Sequence, residues 1–517
     1  MQQLNRRRLL TSAITLAAAS MVPRVARGAP SPNSRFVGYP FTLGVASGYP
    51  TPDGVTLWTR LAPIPLIAGG GMGQETAIVR YEVAEDEGFG KVVARGSRHA
   101  IVESAFSVHA DVRGLSPGRW YFYRFLCGDE VSPVGRTRTA EAPGAPTAAL
   151  RFAIASCQHF EHGYYAAHRH MAAEQPDLVL FLGDYIYEMS WGTDLLRSYV
   201  DYEVHDLEQY RVRYAQHRCD EDLQRLHGQV PVAVCWDDHE VDNDWAGELS
   251  ERLEPNFVAR RAAAFQAFYE HMPLPERMRP RAGGLRLYES FAYGDLARFV
   301  VLDDRQYRSV QACPDPAKGG GSTVLDPREC AALAAADRAM LGAQQESWLD
   351  ATLAASKQRW NLLAQQTLVA PGWMQQDGQR RVWTDGWDGY PKARQRLIDI
   401  LRRRKGLNPV ILGGDIHSTV VADLHEDPED PRTPVVASEF CGTSITSQGS
   451  LFEDDAALRA LHPHIRYANG KARGYLVFEL SHQGLKSRLR TVDERKHDSP
   501  VNTAVELSVE AGRPGIA

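Results

Sequence analysis

The sequence predicts two folded units in series behind a removable leader: an all-β sandwich of the immunoglobulin or fibronectin kind, then a larger α/β domain. Three observations carry that prediction. Short alternating strands separated by turns fill positions 41–139. From position 150 the pattern changes to near-continuous apolar runs separated by helical stretches, as strands covered on both faces require. Ahead of both, Asn5-Arg6-Arg7-Arg8-Leu9-Leu10 opens an apolar stretch that ends near Val22, short of the roughly 20 residues needed to span a bilayer.

The leader is assigned to residues 1–29. Paired arginines precede the apolar stretch, and the small residues Ala26, Gly28 and Ala29 follow it. The pattern resembles a twin-arginine export signal, with an arginine-rich secretory signal as the alternative. Either places the mature protein in the periplasm or outside the cell, and the first implies the twin-arginine export machinery as a partner. No transmembrane anchor is expected.

The sandwich is placed at 35–140. Position 55–61 reads as a strand with alternating faces, 78–83 as another, and 115–125 as a turn running into an aromatic strand. A linker rich in Pro, Ala and Gly follows at 140–149. The α/β domain is placed at 150–490, with apolar runs at 152–155, 178–182, 230–234, 299–302, 360–363 and 410–412. Helical stretches at 259–271 and 341–356 separate some of them, a strand at 475–480 closes the domain, and 491–517 reads as a C-terminal tail. The length of 517 residues, 44% hydrophobic and 24% charged, suits a globular chain of more than one core. A formal net charge of -6 argues against a stable nucleic-acid partner. It leaves room for a phosphate substrate, because metal ions can supply local positive charge.

Four of the apolar runs end in metal-ligand chemistry. Ser156-Cys157-Gln158-His159 follows the first, and a thiolate there can ligate a soft or borderline metal. Gly183-Asp184-Tyr185-Ile186-Tyr187 follows the second; Asp184 can bridge two cations, and a tyrosinate at Tyr187 suits ferric iron. Trp236-Asp237-Asp238-His239-Glu240 follows the third and runs on into Asp242, Asn243 and Asp244. That density of oxygen ligands fits Ca²⁺ or Mg²⁺ better than Zn²⁺, and His239 is a candidate to contact substrate and help the leaving group depart. Gly413-Gly414-Asp415-Ile416-His417 follows the last, with Asp415 and His417 on one side of extended backbone. Ligands in open α/β sheets bind at the carboxyl ends of strands, so four such ends point to one multi-metal site. No glycine-rich phosphate loop of the Walker type and no Gly-x-Ser-x-Gly elbow appears, which favours metal-activated water over a protein nucleophile. Arg305, after the strand at 299–302, is a candidate to orient a phosphate, with a surface ion pair as the bland reading. Seven cysteines leave at least one unpaired. Cys313 and Cys330 bracket a Gly- and Pro-rich loop and are expected to form a disulfide.

Together and in this order these residues resemble the PhoD-type alkaline phosphatase family. The resemblance runs from Gly44-Val45-Ala46-Ser47-Gly48 and Leu57-Trp58-Thr59-Arg60-Leu61 through the strand ends above to Trp387-Asp388-Gly389-Tyr390 and Gly442-Thr443-Ser444-Ile445-Thr446-Ser447. It implies a calcineurin-like metallophosphoesterase domain, a four-layer α/β/β/α sandwich, behind a small β-sandwich. It implies Fe(3+) with Ca(2+), and hydrolysis of small-molecule or lipid phosphomonoesters and phosphodiesters by a metal-activated hydroxide. Carried onto this chain, Cys157, Asp184 and Tyr187 look like iron ligands, and Asp238, Asn243, Asp415 and His417 like the remaining metal ligands. The superfamily's Gly-Asn-His-Glu is here Asp237-Asp238-His239-Glu240, which leaves open whether Asp238 or Asn243 takes the asparagine's role. Two rivals remain: a phospholipase D-like esterase with the same metals, and an exported binding protein on an inactive phosphoesterase fold. In the latter Trp383, Trp387 and Tyr390 would line a ligand groove.

Overall fold

The computed structural model describes residues 36–517 apart from positions 74, 316, 318 and 453. The leader at 1–29 lies outside the described residues. Two large sheets organise the chain. The first has nine strands and the second seven, beside a five-stranded and a three-stranded sheet.

The centre of the nine-stranded sheet is a parallel trio, Ala149–Ala155, Leu178–Leu182 and Pro231–Cys235. The second sheet has its own parallel trio, Ala297–Val301, Trp360–Ala364 and Pro409–Gly413. These six are the apolar runs of the sequence, and the burial pattern shows why they had to be so apolar. In the seven-stranded sheet, Phe299, Val301, Leu362, Ala364, Val410 and Leu412 face a core shared with the nine-stranded sheet. Their neighbours Val300, Leu363 and Ile411 face a second core with helices Gly342–Ala354 and Pro391–Arg402. Alternation along each strand thus fills both faces with mostly apolar side chains. Between the sheets Phe152 meets Phe299 edge-on at 5.3 Å. Helices Ala166–Ala173, Glu221–Gln229 and Phe257–His271 supply Met171, Leu223, Leu226, Phe265 and Phe268 to the same core. No helix among the described residues is long and apolar enough to cross a membrane.

Two boundaries differ from the sequence reading. The N-terminal region is all-β, but one of its layers belongs to the nine-stranded sheet. Strand Val45–Thr51 pairs in parallel with Pro231–Cys235, Ser47 opposite Pro231. Strands Gly54–Arg60 and Ser107–Arg113 continue the nine-stranded sheet from it. The five-stranded sheet then covers this extension over a core that includes Val55, Leu57, Val79, Tyr81, Tyr123 and Phe125. A strand's partner lies far away in sequence, so local pattern alone reads such a region as separate. Likewise the residues read as a tail contribute strand Asn502–Glu510, the edge of the nine-stranded sheet, paired with Gly484–Val492.

Candidate metal centre

The strand ends meet at one place because the backbone turns sharply there. Cys157, Asp184, Asp415 and His417 all hold left-handed backbone, with φ of 56°, 54°, 66° and 53°. Such conformations in non-glycine residues cost roughly 1–3 kcal/mol each and gather at functional sites. At Asp184 the turn is prepared by Gly183, φ 99°. A Cβ there would stand 2.7 Å from the Asp237 backbone nitrogen, so only glycine lets the two strand ends pass.

Three donor groups result. Cys157, Asp184 and His417 offer ligand atoms within 4.8 Å of one another, as do Asp184, Asp238 and His239, and Asp237, Asp238 and Asp415. Asp184 and Asp238 each belong to more than one group, the placement of bridging carboxylates. Tyr187 donates its hydroxyl to Asp184 Oδ2 at 2.9 Å and lies 3.2 Å from His417 Nε2. His417 Nδ1 is 2.7 Å from the Gln448 carbonyl. That contact puts the ring proton on Nδ1 and leaves the Nε2 lone pair facing Tyr187, the tautomer a metal-ligating histidine needs. Burial holds this imidazole down at about 3, with Arg473 adding to the effect. Asn243 sits on the turn after Asp242 and donates its N–H to Glu188 Oε1 at 3.0 Å.

The donor set fits cations. Asp184 Oδ1, Asp237 Oδ2 and Asp415 Oδ2 are buried and have no hydrogen-bond partner. Burial, then neighbouring carboxylates, push Asp415 well above the usual carboxylate range. Burial likewise raises Asp184, with Asp238 and Asp237 adding to it against His239. Burial and Asp184 together raise Cys157 and Tyr187. Acids that disfavour one another's charged forms this strongly are an arrangement that a multivalent cation would relieve.

His239 is built differently. Its Nδ1 lies 2.7 Å from Glu188 Oε2, and Glu188 is fully buried. Burial opposes charge on the ring, but Glu188, Asp238 and Asp184 outweigh it and raise His239 well above its ordinary value. Glu188 thus fixes the ring, and the side chain keeps 12% exposure at the edge of the centre.

Two of the candidate substrate contacts are corrected, and the third loses its surface reading. Trp387 and Tyr390 do not line an open groove. They are 1% and 0% exposed and belong to the core behind the seven-stranded sheet. Trp387 Nε1 donates to Gln365 Oε1 at 3.3 Å, and the Tyr390 hydroxyl to the Ser309 carbonyl at 2.7 Å. Arg305 is not on the surface either. It donates Nε to Asp237 and Nη1 to Asp385 Oδ2 at 2.6 Å. Its Nη2 faces Asp238 Oδ1 at 3.6 Å and Asp415 Oδ1 at 3.9 Å. It is a charge partner inside the carboxylate cluster. Cys313 and Cys330 are joined by a disulfide, Cα to Cα 6.1 Å. The bridged loop reaches the centre, because Ser322 donates its N–H to Asp244 Oδ2 at 2.9 Å.

Sequence reasoning left Glu188, Glu240, Asp244 and Asp385 without roles. Asp238, Asp244 and Asp385 form a further, fully buried group that shares Asp238 with the others. Asp385 carried a usable signal, since it sits between a strand end and Gly386.

Comparison with known proteins gives one answer along nearly the whole chain. Residues 152–489 match the family model for PhoD-like phosphatase, and residues 27–141 the model for the N-terminal domain of PhoD-like phosphatase. The chain is 44% identical over 452 residues to alkaline phosphatase D of Bacillus subtilis (strain 168), covering 85% of this chain and 76% of that one. A solved structure titled "Structure of PhoD" superposes with a TM-score of 0.87 at 40% identity, covering 94% of this chain and 93% of that one.

Proposed function

The chain belongs to the PhoD-like phosphatase family and is a phosphoesterase, and from that premise we propose that its strand-end cluster is an iron and calcium centre working outside the cytoplasm. In this reading Fe(3+) is held by Cys157, Asp184 and Tyr187, with His417 beside them. Asp238, Asn243 and Asp415 would hold Ca(2+), with Asp184 shared between the two donor groups. Sulfur and phenolate donors suit ferric iron and not calcium. Bound there, the ions would supply Lewis acidity to the phosphoryl oxygens and make a water molecule acidic enough to attack at neutral to alkaline pH. The protein's own part is orientation and proton transfer. His239 keeps a proton on Nδ1 for Glu188 and presents Nε2 to the ester, where a protonated ring can donate to the departing oxygen. Arg305 offsets the carboxylates so that they stay packed together. We read the layering as α/β/β/α with an immunoglobulin-like sandwich fused to one sheet edge. Export is supported by the paired arginines at the leader and by a disulfide, which suits an oxidising compartment.

The observation that carries the metal reading is the convergence of left-handed backbone at Cys157, Asp184, Asp415 and His417 on orphaned carboxylate oxygens. The test is hydrolysis of p-nitrophenyl phosphate and bis(p-nitrophenyl) phosphate with and without a calcium chelator. Activity lost in chelator and restored by calcium is the expected result. Full activity in chelator sinks the calcium assignment, and no hydrolysis of either ester by metal-loaded protein favours a binding protein instead.

A further inference from the structure

Strands Leu178–Leu182 and Pro231–Cys235 pair in parallel as far as Leu182 and Cys235. There the ladder stops, because Gly183 and Asp184 turn into positive φ. On one side the backbone still finds partners: Cys157 N–H meets the Gly183 carbonyl at 3.3 Å, and Gln158 N–H the Asp184 carbonyl at 3.0 Å. On the other side the N–H groups of Asp184, Tyr185 and Asp237 have lost theirs. All three donate to one side chain. Glu240 Oε1 accepts from Tyr185 at 2.6 Å, and Oε2 from Asp184 at 3.1 Å and Asp237 at 2.7 Å. Glu240 is 1% exposed, so water cannot substitute. The contact it spans is the close passage of Gly183 against Asp237.

We propose that Glu240 is a positioning residue of the centre: its buried carboxylate replaces the broken β ladder and so sets the separation of Asp184 and Asp238, which bridge the donor groups. This rests on the metal reading above. A carboxylate is suited to the task because it only accepts, and three donors point at it. Glutamine cannot replace it: with the amide oxygen facing Asp184 and Asp237, the amide nitrogen is driven against the Tyr185 N–H.

Glu439 provides a matched comparison. It is equally buried and accepts the Val369 and Ala370 N–H groups, each at 2.7 Å, in the other large sheet. It clips backbone that carries none of the donor residues. The experiment compares Glu240→Gln with Glu439→Gln in the full mature protein. Protein stripped with chelator is titrated with calcium, melting temperature reports occupancy, and kcat and KM are measured on p-nitrophenyl phosphate. Glu240→Gln should raise the calcium concentration for half-saturation by about 10- to 100-fold. It should lower kcat by about 100-fold with little change in KM, as a misplaced reacting group does. Glu439→Gln should lower the melting temperature without moving the calcium half-point. If Glu240→Gln yields no folded chain by circular dichroism, Glu240→Asp, which withdraws the carboxylate by one methylene, should shift the half-point in the same direction. Wild-type half-saturation and kcat in the folded variant, or an equal shift in Glu439→Gln, overturns the proposal. Wild-type protein that binds no metal and ignores chelator sinks the metal reading instead. Glu240 is then judged on kcat alone, and a wild-type kcat in its variant overturns the role.

Discussion

Replacing Gly183 by alanine should damage the fold and the centre together. The residue holds φ 99°, a region that L side chains avoid at roughly 1–3 kcal/mol. Its new methyl would stand 2.7 Å from the Asp237 nitrogen and closer still to the Asp237 Cβ. Backbone cannot rotate away as a flexible side chain can, so overpacking adds about 1–3 kcal/mol. The sum, about 2–6 kcal/mol, is a large part of a usual folding stability of about 5–15 kcal/mol. Relief can come only from moving Asp237 away from Asp184, which also separates the donor groups. Gly114→Ala separates the two effects. Gly114 has φ 81° but no atom within 4 Å of a new Cβ, so only the backbone part, roughly 1–3 kcal/mol, applies. Urea unfolding measures the cost as a shift in midpoint at constant slope, and turnover of p-nitrophenyl phosphate measures the centre. Gly183→Ala no costlier than Gly114→Ala, with wild-type turnover, would refute the reasoning.

Other outcomes follow from the same geometry. His239→Ala should lose about 10² to 10⁴ in kcat while keeping its iron and calcium, and Glu188→Gln should fall in the same direction by freeing the ring; metal lost from His239→Ala would make His239 a ligand. Trp387→Ala should cost about 3–5 kcal/mol of stability as a core truncation, whereas Trp387→Phe should leave KM for p-nitrophenyl phosphate unchanged; a raised KM would restore its substrate role. Removing the disulfide with the double change Cys313→Ser and Cys330→Ser should cost about 3 kcal/mol in the chain-entropy account of a loop of this length, and an unmoved unfolding midpoint would contradict it.

Much of the centre was legible because its parts are local. An apolar run, a glycine and an acid or histidine within a few residues mark a strand that ends in a ligand. Asp184, Asp415 and His417 came from that pattern, while Cys157 and Asp238 came from the apolar run alone. The charge partners were harder to see. Glu188 and Glu240 carry no local mark of a role, and only the fold reveals that one holds a histidine ring and the other three backbone N–H groups. Trp387 and Tyr390 misled for the opposite reason: aromatic residues near glycine read equally well as a groove or as core, and burial decides. The fusion of the N-terminal strands to the nine-stranded sheet depends on the pairing of Ser47 with Pro231, 184 positions away. Neither strand carries a mark of its distant partner.

The central claim is that Cys157, Asp184 and Tyr187 hold ferric iron beside calcium. It is tested most directly by elemental analysis and the visible spectrum of natively exported protein, wild type against Tyr187→Phe. The account predicts iron and calcium together in the active wild type and a ligand-to-metal charge-transfer band in the visible. That band should bleach or shift strongly in Tyr187→Phe. Active protein without iron, or full activity in a colourless Tyr187→Phe variant, would contradict it.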